Sequence, residues 1–148
     1  MTIPLLKKSE LFNKVSPEEI KVLTPLSQEK TFSPETIIFS QNTPAERIYL
    51  LDQGSVALKT VLSNGLEITY EMITKQGDPF GWSALVEPFE HMTTAICLEK
   101  TGVVVFNRKD LIRIFPQYPL LGFKVMHNLC ILLARRLERT RLLLVGQI

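Results

Sequence analysis

The order of apolar and polar positions divides the chain into a helical start, a β-rich middle and a helical end. Ser16-Pro17-Glu18-Glu19 signals a helix start: Ser16 can cap, Pro17 suits the first helical position, and Glu19 completes a capping box. Ile20, Leu23 and Leu26 follow at helical spacing, with Pro25 bending or ending the run, and a shorter helix is expected around Leu5 to Phe12. From Phe32 the period shortens. Ile37-Ile38-Phe39, Ile48 to Leu51 and Val56 to Val61 are strand candidates, separated by turns at Gln41-Asn42-Thr43-Pro44 and Asp52-Gln53-Gly54. Asn64-Gly65 matches a two-residue type I′ hairpin turn. Beyond it, Ile68, Tyr70 and Met72 alternate with Glu67, Thr69 and Glu71, the pattern of a strand with one buried face and one wet face. Thr93 to Glu99 and Val103 to Phe106 complete the set. Short, closely spaced strands predict a mainly β fold with flanking helices. The expected layout is one domain over 1–148: N-terminal helices at 5–28, a β-sandwich or barrel at 31–107 and C-terminal helices at 110–145.

The end of the chain is the longest helical signal. A short helix starts at Asp110-Leu111-Ile112-Arg113, Pro116 to Pro119 breaks it, and a long helix follows from about Leu120 to Leu144. Met126, Leu129, Leu133 and Leu137 form one apolar stripe, extended by Leu144; Val125 and Leu132 belong to a second. A helix apolar on two sides needs two partners. One is its own barrel; the other is expected to be the same helix of a second subunit, giving a homodimer through a short coiled coil.

Composition narrows the class. Hydrophobic residues make up 45% and charged residues 22%, a globular balance. No apolar run approaches spanning length and Met1 to Lys8 is no secretory signal, so a cytoplasmic protein without membrane contact is expected. The two cysteines and two histidines are too few and too scattered for a disulfide framework or a metal site. Cys97 and Cys130 are expected to be small core residues. No nucleophile motif, P-loop or dinucleotide fingerprint is present, so no enzyme is expected. The net charge of +2 hides an asymmetry: residues 101–148 hold 8 Lys/Arg against 2 Asp/Glu. Arg135, Arg136, Arg139 and Arg141 are expected to form a solvated basic face suited to a helix C-terminus.

Three stretches share a further pattern. Glu35 to Leu51 (ETIIFSQNTPAERIYLL), Gly54-Ser55-Val56 and Gly77-Asp78-Pro79-Phe80-Gly81 occur in the order and spacing of the cyclic-nucleotide-binding domain. The chain resembles the sensor half of bacterial regulators of the catabolite-activator and fumarate–nitrate type, and the resemblance implies that the β region at 31–107 is a jelly-roll barrel. The family's first motif places glycines where this chain has Glu35 and Asn42. Asn42 still suits a left-handed turn, whereas Glu35 implies a position that does not need positive φ.

The resemblance implies a cyclic-nucleotide-type ligand on a short cassette helix formed by Gly81, Trp82, Ser83, Ala84 and Leu85, with amides near Ser83 and Ala84 facing an anion. It implies further contacts from Thr93, Thr94 and Ala95. Two positions depart from it. Trp82 stands where the family places its ribose-binding glutamate, and Thr93 where it places its phosphate-binding arginine; Thr94 keeps the hydroxyl. His91 could supply charge only below about neutral pH. The expected function is a small-molecule sensor that dimerises through its C-terminal helix, without the family's usual contacts to cyclic AMP. No cofactor is expected beyond a possible cyclic nucleotide ligand. One alternative is a ligand-free interaction module or a fragment of a transcription regulator. Another is a haem or redox sensor using His91 or the cysteines. Family transcription factors continue into a helix-turn-helix domain, whereas this sequence stops at Gln147-Ile148. Sequence-specific DNA binding by this chain is therefore not expected.

Overall fold

The structure, a computed structural model, describes residues 2–146. Helix α1 (Thr2–Lys8) and a 3-10 turn (Glu10–Phe12) precede α2 (Pro17–Leu23). The predicted capping box closes α2: Ser16 Oγ accepts from the Glu19 amide at 3.1 Å, and Glu19 Oε1 accepts from the Ser16 amide at 2.9 Å. Eight strands follow: β1 (Ser27–Phe32), β2 (Ile37–Phe39), β3 (Arg47–Gln53), β4 (Val56–Val61), β5 (Glu67–Ile73), β6 (Pro79–Phe80), β7 (Thr94–Cys97) and β8 (Thr101–Asn107). Then come α3 (Arg108–Ile114) and α4 (Pro119–Leu144). The strands form two four-stranded sheets, ordered β1-β8-β3-β6 and β2-β7-β4-β5. This is the expected β-rich fold with flanking helices and a long C-terminal helix.

The central strands of the first sheet, β3 and β8, are apolar on both faces because both are covered. On β3, Ile48 and Leu50 join a core shared with the helices, while Tyr49 and Leu51 join the barrel interior. Val104 and Phe106 on β8 repeat this division against Val103 and Val105. The N-terminal half of α4 lies against the helical core. Asn128 Nδ2 donates to the Leu11 and Asn13 carbonyls, both at 2.9 Å, and Lys124 Nζ bonds Glu19 Oε1 at 2.6 Å.

Four local expectations change. The hairpin after β4 is longer than Asn64-Gly65 alone. The Gly65 amide donates to the Leu62 carbonyl, the Leu62 amide donates to the Leu66 carbonyl, and only Gly65 has positive φ. That is a three-residue loop, in which a type I turn ends in one left-handed residue. The alternation on β5 is interrupted too. Leu58 faces Glu71 and Lys59 faces Thr69, so Tyr70 is a bulged residue and the phase flips there. Since directly opposed residues share a face, Ile68, Glu71 and Ile73 lie on one side and Met72 on the other. Glu71 therefore points inward, against the expectation that it lies on the wet face. Glu35 adopts φ 68°, so its position does need the left-handed region; Asn42, at φ 66°, behaves as expected.

The fourth correction concerns α4. Leu129 is 2% exposed and belongs to the domain's own core, together with Val125, so it cannot serve a second subunit. Leu132 and Leu133 pack partly against the same core. The free apolar seam is rotated: Phe123, Leu137 and Leu144 are well exposed, Met126 lies on its flank, and Cys130 is exposed rather than a core residue. Cys97 is buried on β7, as expected of a small core residue.

Candidate functional site

A cavity of about 290 Å³ opens between the β2-β7-β4-β5 sheet, the 3-10 turn Trp82–Leu85 and α4. Phe39 comes from β2, Leu58 and Thr60 from β4, and the bulged Tyr70 from β5. Gly81, Trp82 and Ser83 line it from the turn, His91, Met92 and Thr93 from the segment leading into β7, and Arg136 from α4.

Gly81 makes the approach possible. Its φ is 75°, and a Cβ there would sit 2.9 Å from Tyr49 Cδ1 and 3.2 Å from the Arg47 carbonyl. A side chain would be strained in conformation and crowded in space. Trp82 does two jobs, lining the cavity and packing on the helical core.

Of the eight residues singled out from the sequence, Gly81, Trp82, Ser83 and Thr93 reach the cavity. The other four do not. Ala84 and Ala95 are fully buried and Leu85 belongs to the helical core. The Ala84 amide is already spent on the Gly81 carbonyl at 3.1 Å, which removes it as an anion donor. Thr94 Oγ1 accepts from the Gln41 amide at 3.0 Å, so that hydroxyl ties β7 to the β2–β3 loop.

The charge lies where the sequence pattern did not place it. Arg136, expected on a solvated face, has a side chain only 16% exposed and contributes to the cavity wall. Its Nη2 bonds Glu71 Oε2 at 2.9 Å, and Arg139 Nη2 bonds Glu71 Oε1 at 2.9 Å. Glu71 is 12% exposed. Two guanidiniums on one carboxylate leave one net positive charge beside the cavity. Arg135 and Arg141 pair instead with Glu10 and Glu138. The missed residues are Phe39, Leu58, Thr60, Tyr70, Met92 and Arg136. The bulge concealed Tyr70 and Glu71, and nothing in helical spacing separates Arg136 from Arg135.

His91 cannot supply a cation here. It is 5% exposed, its ring stacks on Phe39 with centroids 3.7 Å apart, and burial pushes its pKa down to about 4. Below about pH 6.5 the unfolded chain takes up a proton on this imidazole that the folded protein refuses until about pH 4. His91 should therefore withdraw stability as pH falls from 6.5 to 4, by about 3 kcal/mol over the window, and contribute no slope above it. Denaturant unfolding at pH 7 and pH 4.5 should show a smaller loss for His91→Gln than for the parent protein. Equal losses would remove His91 as the cause.

Among the described residues no group of three His, Cys, Asp or Glu side chains could hold a metal ion. No helix among them is long and apolar enough to cross a membrane.

The family model of the cyclic nucleotide-binding domain matches residues 29–118. The chain is 31% identical, over 137 residues, to the cyclic AMP receptor protein of Thermus thermophilus, covering 93% of this chain and 61% of that protein. The crystal structure of the Thermus thermophilus catabolite activator protein superposes with a TM-score of 0.78 at 30% identity, over 92% of this chain and 62% of the other. A cyclic nucleotide-binding domain from Methylobacillus flagellatus shares the fold, with a TM-score of 0.84 at 20% identity over 98% of this chain and 81% of that one. The chain spans about three-fifths of the length of the curated relatives it matches most fully. Those relatives are named as regulators and receptors rather than enzymes. With the matched segment running from β1 through α3 to the residue before α4, and both sheets and the cassette turn in place, the chain belongs to the cyclic nucleotide-binding domain family.

Proposed function

We propose that the chain is a ligand-sensing regulatory module in which the cavity takes a small anion and α4 carries the response as the helix of a homodimer. The observation behind this reading is the position of Arg136, which is both a cavity wall and a residue of α4. An anion entering the cavity competes with Glu71 for that guanidinium. Arg139 stays behind to neutralise Glu71, so the exchange strands no charge. A ligand that pulls Arg136 thus acts directly on the helix, and differential contact of this kind is what shifts a conformational equilibrium. Trp82 and Thr93, at the family's ribose and phosphate positions, favour a departure from its usual contacts with cyclic AMP. They also support the rival reading, a ligand-free interaction module.

The dimer has a specific geometry to test. Phe123, Cys130, Leu137 and Leu144 recur every seven residues on the exposed side of α4. In a parallel two-stranded coiled coil such positions meet their own counterparts. Oxidation of the purified protein with copper–phenanthroline should therefore form a disulfide dimer through Cys130. Cys130→Ser should abolish it, since Cys97 is buried. No cross-link, together with a monomer by sedimentation at micromolar concentration, would reject the dimer.

A further inference from the structure

We infer that the cavity selects a planar, largely apolar monoanion, with an aromatic carboxylate as its type, in preference to a cyclic nucleotide. The inference rests on the sensor reading above and names that sensor's ligand class.

The walls are chiefly ring and hydrocarbon: Phe39, Leu58, Tyr70, Trp82 and Met92. His91 is uncharged at neutral pH and stacks on Phe39, extending an aromatic surface rather than adding a cation. Aromatic walls favour a flat apolar guest through offset stacking and edge contacts. The volume, about 290 Å³, corresponds to roughly ten waters at their share of the liquid, room for a one- or two-ring acid.

The polar side chains are few: Thr60, Tyr70, Ser83 and Thr93 supply hydroxyls, His91 a neutral imidazole, and Arg136 the charge. A cyclic nucleotide also brings a ribose hydroxyl and the donors and acceptors along its base edge. Among the described residues no carboxylate lines the cavity, and Glu71, the partner of Arg136, is already engaged by two guanidiniums. Trp82, whose only polar atom is an N–H donor, stands where the family places its ribose-binding glutamate. Polar edges buried without partners forfeit their hydration, and that loss falls on a nucleotide and not on an aromatic acid.

The charge matches as well. The Glu71–Arg136–Arg139 group carries one net positive charge, enough for one negative charge. Arg136 already forms a guanidinium–carboxylate contact with Glu71, and a ligand carboxylate offers the same planar oxygen pair. Binding becomes an exchange of one carboxylate for another on the same guanidinium.

Calorimetric titration of the full chain with 1-naphthoate, 1-naphthamide, cyclic AMP and cyclic GMP tests this. 1-Naphthoate is expected to bind at least tenfold more tightly than its neutral amide and than either nucleotide. Arg136→Gln should weaken 1-naphthoate at least tenfold and erase the acid–amide difference. Arg136→Lys, which keeps the charge and loses the fork, should retain part of that difference. Arg135→Gln, whose partner is Glu10, should change nothing, and circular dichroism should confirm that each variant is folded. Tighter binding of cyclic AMP or cyclic GMP than of 1-naphthoate would overturn the ligand class and leave the sensor standing. Undiminished 1-naphthoate binding in folded Arg136→Gln would also overturn it. No binding of any probe up to millimolar concentration would overturn the sensor reading itself.

Discussion

Replacing Glu71 with glutamine is expected to lower the thermal midpoint of the ligand-free protein by roughly 6–9 °C while strengthening its affinity for anions. The carboxylate is 12% exposed and joins β5 to α4 through two guanidiniums, one of them, Arg136, only 16% exposed. An isolated surface pair would be worth little. Here the substitution leaves Arg136 largely enclosed without a counter-charge, the situation in which removing one partner costs most. Arg136 retains some access to water through the cavity, so the cost should fall below that of a fully buried pair, at about 2–3 kcal/mol. For a chain of this length each kcal/mol moves the midpoint by roughly 3 °C. The same change frees two cations beside the cavity, so an anion there should restore part of the loss. Thermal melts of Glu71→Gln with and without millimolar 1-naphthoate, against the parent protein, would show both effects. An unchanged melt would mean that the pair is a solvated surface contact and that α4 is held to β5 by other means.

The contrast between Glu71 and its neighbours shows which parts of this molecule were legible in the sequence. Where burial follows a simple period, the reading succeeds. The capping box at Ser16 and Glu19, the turn at Asn42 and the apolar runs of β3 and β8 all follow from rules that involve only neighbouring residues. The family pattern also brought Gly81, Trp82, Ser83 and Thr93 to the cavity. It failed where one residue breaks the period. The bulge at Tyr70 inverts the faces of β5, and an alternation rule has no means of anticipating an extra residue. Arg136 was hidden for a different reason. A charge 65 residues from its partner has no local signature, and its neighbour Arg135 points toward Glu10 instead. Glu35 adopts φ 68° although nothing but glycine-like geometry would suggest it, a strain that the surrounding turn must hold in place.

The same issue of phase along a helix sets the other large expectation, a separation of two leucines eight residues apart on α4. Leu129→Ala should destabilise the folded protein by about 2–5 kcal/mol, because a fully packed leucine loses both its burial and its neighbours' contacts. Leu137→Glu should leave the stability of the isolated subunit within about 0.5 kcal/mol, since the side chain is 71% exposed there. Its effect should appear only on association. At a seam position repeated every seven residues the glutamate would meet its own copy, putting like charges into an apolar contact. A penalty near 2.7 kcal/mol is about a hundredfold in dissociation constant, and this is the loss expected at minimum. Urea unfolding of each variant, paired with sedimentation equilibrium, reads the two effects independently. If Leu137→Glu stays dimeric, the interface does not run along Phe123, Cys130 and Leu137. If instead Leu129→Ala is as stable as the parent, the N-terminal half of α4 is not held by this core, and Asn128 and Lys124 must be what fixes the helix that carries Arg136.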